Sequence, residues 1–253
     1  MKLIFLGTGT STGVPQLMCD CATCRSADSH DKRLRASALV KIDGLNLLID
    51  CGPDFRTQML AYGDNCNLDA LLITHSHYDH VGGVDDLRPY CTPDGFPLYC
   101  KADVAKDLRD RVPYCFAEHP YPGVPHYAIH EIDSEKPFFI KGVEITPLPV
   151  NHYKSEILGF RIGKLAYITD AKRISEQTVR KVAGIDTLVI NALRHEPHIS
   201  HFSLSDALAF IAEVSPRVAY LTHLSHQMGR HADVEPTLPE NVKIAYDGMK
   251  ISV

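Results

Sequence analysis

The stretch Leu71-Leu72-Ile73-Thr74-His75-Ser76-His77-Tyr78-Asp79-His80 runs an aliphatic segment straight into four potential metal ligands. Extended backbone alternates its side chains, so His75, His77 and Asp79 project to one side at a strand's end. His80 joins them as the chain turns toward Gly82-Gly83. Imidazole and carboxylate suit zinc, manganese or iron, and a cluster without Cys points to a hydrolytic site with an open position rather than a closed structural one. A solvated, His-rich turn is the competing reading. Matching residues at other strand ends weigh against it.

Those partners follow three further apolar runs. Residues 143–149 lead to Val150-Asn151-His152, residues 165–168 to Thr169-Asp170, and residues 218–221 to Thr222-His223. If these strands share sheets, their carboxyl ends fall on one rim, where layered α/β folds place their chemistry. Five His and two Asp are too many for one tetrahedral ion. They suit two ions about 3.5 to 4 Å apart that share a carboxylate, with Asp170 as the expected bridge.

The rest of the chain fits a layered fold. Aliphatic or β-branched runs at 3–6, 38–42, 45–49, 70–73, 143–147, 165–168, 187–190 and 218–221 read as strands. Helical patterns occupy 101–111, 175–183 and 203–213, the last opening with Ser203 as N-cap and Asp206 three positions on. The Pro- and Tyr-rich residues 88–137 read as an elaborated loop region. At 253 residues, one α/β (α+β) domain spanning 1–253 is the expectation.

A composition of 45% hydrophobic and 23% charged residues excludes a disordered chain. The formal net charge is -5, and basic residues gather only in short pieces such as Lys32, Arg33 and Arg35, which argues against an extended nucleic-acid partner. The apolar segment at 3–6 is too short for a signal peptide and no run reaches membrane-spanning length, so a cytoplasmic protein without a membrane partner is expected. In that reducing compartment the eight cysteines should be thiols or metal ligands.

Cys19-Asp20-Cys21-Ala22-Thr23-Cys24 sets three thiols within six residues. Three thiolates want a fourth ligand. His226, three positions beyond His223, is the natural candidate to complete a tetrahedral structural zinc. Reduced surface thiols are the alternative. Cys51, Cys66, Cys91, Cys100 and Cys115 are scattered and read as core or loop residues.

The set His75-x-His77-x-Asp79-His80, His152, Asp170 and His223 resembles the full ligand set of the metallo-β-lactamase superfamily. That resemblance implies a four-layer αββα sandwich. It also implies that His75, His77, His152 and Asp170 hold one metal, that Asp79, His80, Asp170 and His223 hold the other, and that a bridging water or hydroxide is the nucleophile. More narrowly, Cys19-x-Cys21-x-x-Cys24 with Thr222-His223-x-x-His226-Gln227 is similar to the PhnP-like cyclic phosphodiesterases. The likeness extends through Gly7-Thr8-Gly9, Pro147-Leu148-Pro149-x-Asn151-His152 and Tyr246-Asp247-Gly248-Met249, essentially the whole chain. It implies a structural zinc at the Cys/His cluster, phosphodiester hydrolysis at the dinuclear site and a homodimer.

Diester cleavage expels an alkoxide, so a proton donor beside the metals assists, and a His serves near neutral pH. Of His195, His198 and His201, the last is the expected donor, because Pro197-His198-x-x-His201-Phe202-Ser203 is similar to the family segment carrying the leaving-group histidine. His201 and the ligand Asp79 are thus the expected catalytic residues. A His that only packs at the helix entrance is the competing reading. Asp50, ending the 45–49 run, either orients a ligand His or simply closes a strand. Gly7-Thr8-Gly9-Thr10-Ser11-Thr12-Gly13 lacks the Gly-Lys-Ser/Thr of a P-loop and reads as a permissive loop. Arg194 offers a phosphate contact or a surface salt bridge. Tyr90, Tyr114, Tyr121 and Tyr127 offer stacking for a base or sugar, or pack their own loop.

The expectation is a dinuclear-metal phosphodiesterase, with manganese, zinc or iron at the paired site and one structural zinc, acting on small cyclic or nucleotide-like diesters. A lactone or thioester hydrolase on the same fold is the second reading, because fold and metals do not fix the substrate. A catalytically silent metal-binding protein is the third.

Overall fold

The computed structural model describes residues 1–119 and 121–253. In chain order, β1 (Lys2–Gly7), β2 (Ser37–Ile42), β3 (Leu45–Ile49), β4 (Ala70–Leu72), β5 (Phe96–Cys100) and β6 (Tyr127–Glu131) build one sheet. A second sheet holds β7 (Phe138–Ile140), β8 (Val143–His152), β9 (Ser155–Ile162), β10 (Leu165–Ile168), β11 (Arg173–Ile174), β12 (Thr187–Asn191), β13 (Val218–Thr222) and β14 (Val242–Ile244). The last strand, β15 (Lys250–Ser252), returns to the first sheet and pairs with β1. The helices are α1 (Ala22–Arg25), α2 (Phe55–Tyr62), α3 (Tyr78–Val81), α4 (Ala102–Arg111), α5 (Glu176–Lys181), α6 (Leu204–Val214) and α7 (His231–Val234). Among the described residues, no helix is long and apolar enough to cross a membrane.

Strand alternation builds the layers. Leu3 and Phe5 of β1 join Phe160, Tyr167 and Val189 in a core between the sheets. Ile4 and Leu6 turn the other way and pack with Phe55 and Met59 of α2 and with Val104 and Leu108 of α4. In β10, Leu165 and Tyr167 face the intersheet core, while Ala166 and Ile168 face Ala207, Phe210 and Ile211 of α6. Three apolar cores therefore separate four layers, the αββα sandwich. Burying each large aliphatic or aromatic side chain contributes about 1.5–3 kcal/mol.

Parallel pairing sets the rim. β3 and β4 run parallel in one sheet, and β10, β12 and β13 run parallel in the other. Their carboxyl ends deliver Asp50, the segment from His75, Asp170 and His223.

Residues 88–137 depart from the loop reading. β5, α4 and β6 lie within them, and the two strands extend the first sheet through parallel pairs from Phe96↔Tyr127 to Cys100↔Glu131. Pro97 sits inside β5, and its strand partner is some thirty residues downstream, so no local signal marks either strand. β8 is also longer than expected, ending on His152 itself. Its Pro147 and Pro149 are tolerated because β7 pairs only Val143 to Ile145 and β11 only Val150 and Asn151 on one side, leaving the prolines with β9 alone.

Candidate metal centre

Three site residues leave their strands in a conformation that L-residues seldom adopt. Asp50, Asp170 and His223 have φ values of 60°, 58° and 54°. Such backbone costs on the order of 1–3 kcal/mol per residue and gathers where function holds it in place. The helix that carries Asp79 and His80 is seated by close backbone approach. A Cβ on Gly52 would meet Asp79 O at 2.1 Å, and one on Gly83 would meet Gly52 O at 2.0 Å. Cys51 N donates to His80 O at 2.8 Å and Gly83 N to Cys51 O at 2.9 Å.

The expected donors then converge. His75, His77 and His152 offer ligand atoms within 4.8 Å of one another, and so do Asp79, His80, Asp170 and His223. Asp170 also groups with His152 and His201, so it borders both sets. All of these side chains are buried except His77, which is exposed, and His201, which is partly so. The centre therefore opens at His77.

Hydrogen bonds fix which imidazole nitrogen faces inward. His152 Nδ1 lies 2.9 Å from Asp170 O and 3.0 Å from Ser200 O, two acceptors that require its proton there. His80 Nδ1 donates to Asp50 Oδ2 at 2.7 Å. Thr74 Oγ1 gives its proton to Asp50 at 2.8 Å, so it accepts one from His75 Nδ1 at 3.0 Å. The Nε2 lone pairs of these rings are left to the centre. His75 Nε2, His80 Nε2 and both ring nitrogens of His223 are buried without a hydrogen-bond partner. Buried orphans of this kind are costly in an apoprotein and are what a cation satisfies.

The field of the site points the same way. Burial, and then the neighbouring His80, hold His75 well below the usual histidine range. Against the cost of burial, Asp170, Asp50 and Asp79 raise His80 well above it. Asp170 lies well below the carboxylate range although burial opposes this, because His223 and His80 face it. His223 Nε2 is 3.1 Å from Asp170 Oδ1 and His80 Nε2 is 3.4 Å from Asp170 Oδ2, so both carboxylate oxygens border the set of Asp79, His80 and His223. Thr169 Oγ1 donates to Asp170 Oδ2 at 2.6 Å and fixes its orientation.

His201 stands beside this carboxylate, its Nε2 3.0 Å from Asp170 Oδ1. Burial pushes it down to about 4, with the Asp170 contact pulling the other way. Its ring packs edge-on to His152 at 4.7 Å and stacks on His223 at 5.1 Å. His198 is not a free loop residue, since its Nδ1 lies 3.1 Å from His201 Nδ1. His195 is tied by Nε2 to Met228 O at 2.9 Å.

Cys19, Cys21, Cys24 and His226 form a separate donor group. His226 Nδ1 lies 3.4 Å from Cys19 Sγ and 3.3 Å from Cys21 Sγ. The backbone N–H of Cys24, and next His226, bring the Cys21 thiol down to about 6, whereas burial pushes Cys24 up to about 11. Three soft sulfurs and one imidazole are the donor set of a structural zinc.

The weaker candidates resolve individually. Asp50 does not merely close its strand, since it holds the candidate ligand His80 through Nδ1. The Gly7 loop packs against protein: a Cβ at Gly7 would meet Arg35 O at 2.0 Å. Arg194 donates to Glu196 O, Pro197 O and Gln227 Oε1, using three of its five N–H groups, and enters no salt bridge among the described residues. Tyr127 Oη donates to Val84 O, Tyr114 Oη to Asp85, and Tyr90 packs on Phe55 and Phe96. Tyr121 and, to a lesser degree, Tyr114 are exposed.

Residues 45–224 match the family described as Beta-lactamase superfamily domain. The crystal structure of a diphosphatase described as from the PhnP family superposes with a TM-score of 0.92 at 36% identity, covering 100% of this chain and 97% of that one. An octanoyltransferase of Porphyromonas gingivalis is 41% identical over 252 residues, 99% of this chain but 51% of that protein. The chain thus spans about half the length of that relative. Coenzyme PQQ synthesis protein B of Methylorubrum populi is 28% identical over 220 residues, 76% of this chain and 72% of that protein. With its four layers and a donor-lined rim, this chain belongs to the metallo-β-lactamase superfamily and is PhnP-like within it.

Proposed function

We propose that this chain is a dinuclear-metal phosphodiesterase acting on small cyclic or nucleotide-like phosphodiesters. In this reading His75, His77, Asp79, His80, His152, Asp170 and His223 hold two divalent ions, manganese, zinc or iron, and Asp170 is shared. Cys19, Cys21, Cys24 and His226 hold one structural zinc. The paired ions supply a water of lowered pKa and positive charge for the attacked phosphoryl oxygens.

The observation that carries the reading is His201, an imidazole whose Nε2 borders the shared carboxylate at 3.0 Å and which the two ligand sets do not require. An alkoxide leaving from phosphorus needs a proton, and a placed imidazole gives about 10²–10⁴-fold. Burial keeps His201 neutral in the free protein. A phosphodiester anion beside it favours the protonated form, so the substrate brings the acid into its working state. His152 holds Ser200 O, and Ser200 Oγ lies 2.9 Å from His201 Nδ1, which orients the ring toward the centre. Asp79 would hold a metal together with His80, Asp170 and His223.

The PhnP-family diphosphatase, similar over the whole chain, supports cleavage at phosphorus and makes diphosphate esters a related substrate class. A lactone or thioester hydrolase is the second reading. It draws on the octanoyltransferase relative, whose name belongs to a protein twice as long. The net charge of -5 supports a small substrate over a polyanion. All eight cysteines are free, which supports a reducing, cytoplasmic setting. A homodimer belongs to the same proposal, and sedimentation analysis tests it.

The test is hydrolysis of bis-(p-nitrophenyl) phosphate, p-nitrophenyl phosphate, a nucleoside diphosphate, a thioester and a lactone by metal-stripped protein reloaded with manganese or zinc. Diester turnover that requires metal is expected, and His201→Ala should lower it for diphenyl phosphate, whose leaving group needs the proton, rather than for bis-(p-nitrophenyl) phosphate. Cleavage of the thioester or lactone alone would replace this reading with the second.

A further inference from the structure

Residues 193–201 lead from β12 toward α6 and present His201, with no strand or helix of their own. Three consecutive members of that loop bond to the short turn that follows His223. Leu193 O accepts from Ser225 N at 3.0 Å and from Ser225 Oγ at 2.8 Å. Arg194 Nη1 donates to Gln227 Oε1 at 2.9 Å, and His195 Nε2 donates to Met228 O at 2.9 Å. Arg194 also gathers its own loop, donating from Nε to Glu196 O at 3.2 Å and from Nη2 to Pro197 O at 3.0 Å. The turn, His226–Met228, opens on the imidazole of the thiol cluster.

We propose that the Cys19, Cys21, Cys24 and His226 cluster is a positioning device for His201, and that Arg194 is the positioning residue that carries its constraint. Holding one cation between them, the four side chains would fix the His226–Met228 turn. The planar guanidinium, with donors along three edges, then fixes the loop as far as Pro197. Ser200, bonded to His152 on one side and to His201 on the other, completes the line to the leaving-group imidazole. A Lys at position 194 has one ammonium on a flexible stem and cannot span three acceptors. The inference rests on the reading of His201 as proton donor.

Two readouts test it. The first is kcat for bis-(p-nitrophenyl) phosphate, whose leaving group departs as a stabilised anion, against diphenyl phosphate, whose leaving group needs the proton. Arg194→Ala and Arg194→Lys should keep KM for both and lose about 10- to 100-fold in kcat for diphenyl phosphate only, the cost of a misplaced catalytic group. His201→Ala should show the same pattern, and the double variant should be no worse than His201→Ala alone. The second readout is amide hydrogen exchange across 194–203, expected to quicken in Arg194→Ala and in Cys24→Ser while the amides of β12 and β13 stay protected. Unchanged exchange in both variants, or an equal loss on both diesters in the Arg194 variants, overturns the proposal. A flat leaving-group response in His201→Ala instead removes the donor role, and the exchange data alone then decide whether the cluster fixes the loop.

Discussion

His80 Nδ1 lies 2.7 Å from Asp50 Oδ2, and both side chains are wholly buried. Thr74 completes the carboxylate, donating its backbone N–H at 2.8 Å to Oδ1 and its hydroxyl at 2.8 Å to Oδ2. Asp50 thus fixes the tautomer of one candidate ligand directly and, through Thr74, that of His75. Asp50→Asn should lower metal affinity at the paired site by about 10–100-fold. Asp50→Ala should cost more, about 3–5 kcal/mol of stability, because it strands a buried partner. Metal competition and urea unfolding of the two variants check this. An Asp50→Ala chain with unchanged affinity would remove the orienting role.

Gly52 is required for space. Its Cβ would collide with Asp79 O at 2.1 Å, so Gly52→Ala must push α3, with Asp79 and His80, off the rim. The expected cost is about 1–3 kcal/mol, with weakened metal binding. Calorimetric metal titration of Gly52→Ala measures it. Wild-type affinity would mean that the helix has room to shift.

The thiol cluster should report on its own protons. Cys24, pushed up to about 11, is a thiol at pH 8, whereas Cys21, near 6, is already a thiolate. Zinc binding must displace the Cys24 proton at pH 8, and below about pH 6 the Cys21 proton as well. Protons released per zinc should therefore rise as pH falls through 6. Calorimetry in buffers of different ionisation enthalpy, taken as the difference between the wild type and Cys24→Ser, gives the number. A release independent of pH between 5 and 8 would contradict this assignment.

Asp247 gives a stability signature away from the metals. Burial pushes it up to about 7 although Leu34 N and Thr8 Oγ1 donate to it. The folded value lies above the unfolded value of about 3.9, so the native state holds the extra proton. Its contribution is full below about pH 4 and is lost as pH rises toward 7, by at most about 1.4 kcal/mol per unit. Asp247→Asn should flatten that part of the profile, gaining on the wild type between pH 5 and 8 in urea unfolding. Parallel profiles would place the proton elsewhere.

The candidate donors are legible in the sequence because each is local: an apolar run ends, and an imidazole or carboxylate follows. Their convergence is not local. It depends on β3 pairing with β4 and on β10 pairing with β12 and β12 with β13, which the sequence gives only as a condition. Asp50 is undecidable from its position, since an Asp closing a strand is common, and only the contact with His80 separates the two readings. β5 and β6 are hidden by Pro97 and by the distance between paired strands. The role of Arg194 is invisible for another reason: two of its three acceptors are backbone carbonyls, which carry no sequence signature.

Diester hydrolysis in this reading depends on two ions at one rim. Metal-stripped Cys24→Ser, in which the thiol cluster is disabled, can be titrated with manganese while bis-(p-nitrophenyl) phosphate turnover and bound metal are measured together. Turnover should follow the second equivalent bound, and Asp170→Ala, which removes the shared carboxylate, should lose both ions and all activity. A chain that binds two equivalents yet leaves the diester intact would contradict the account.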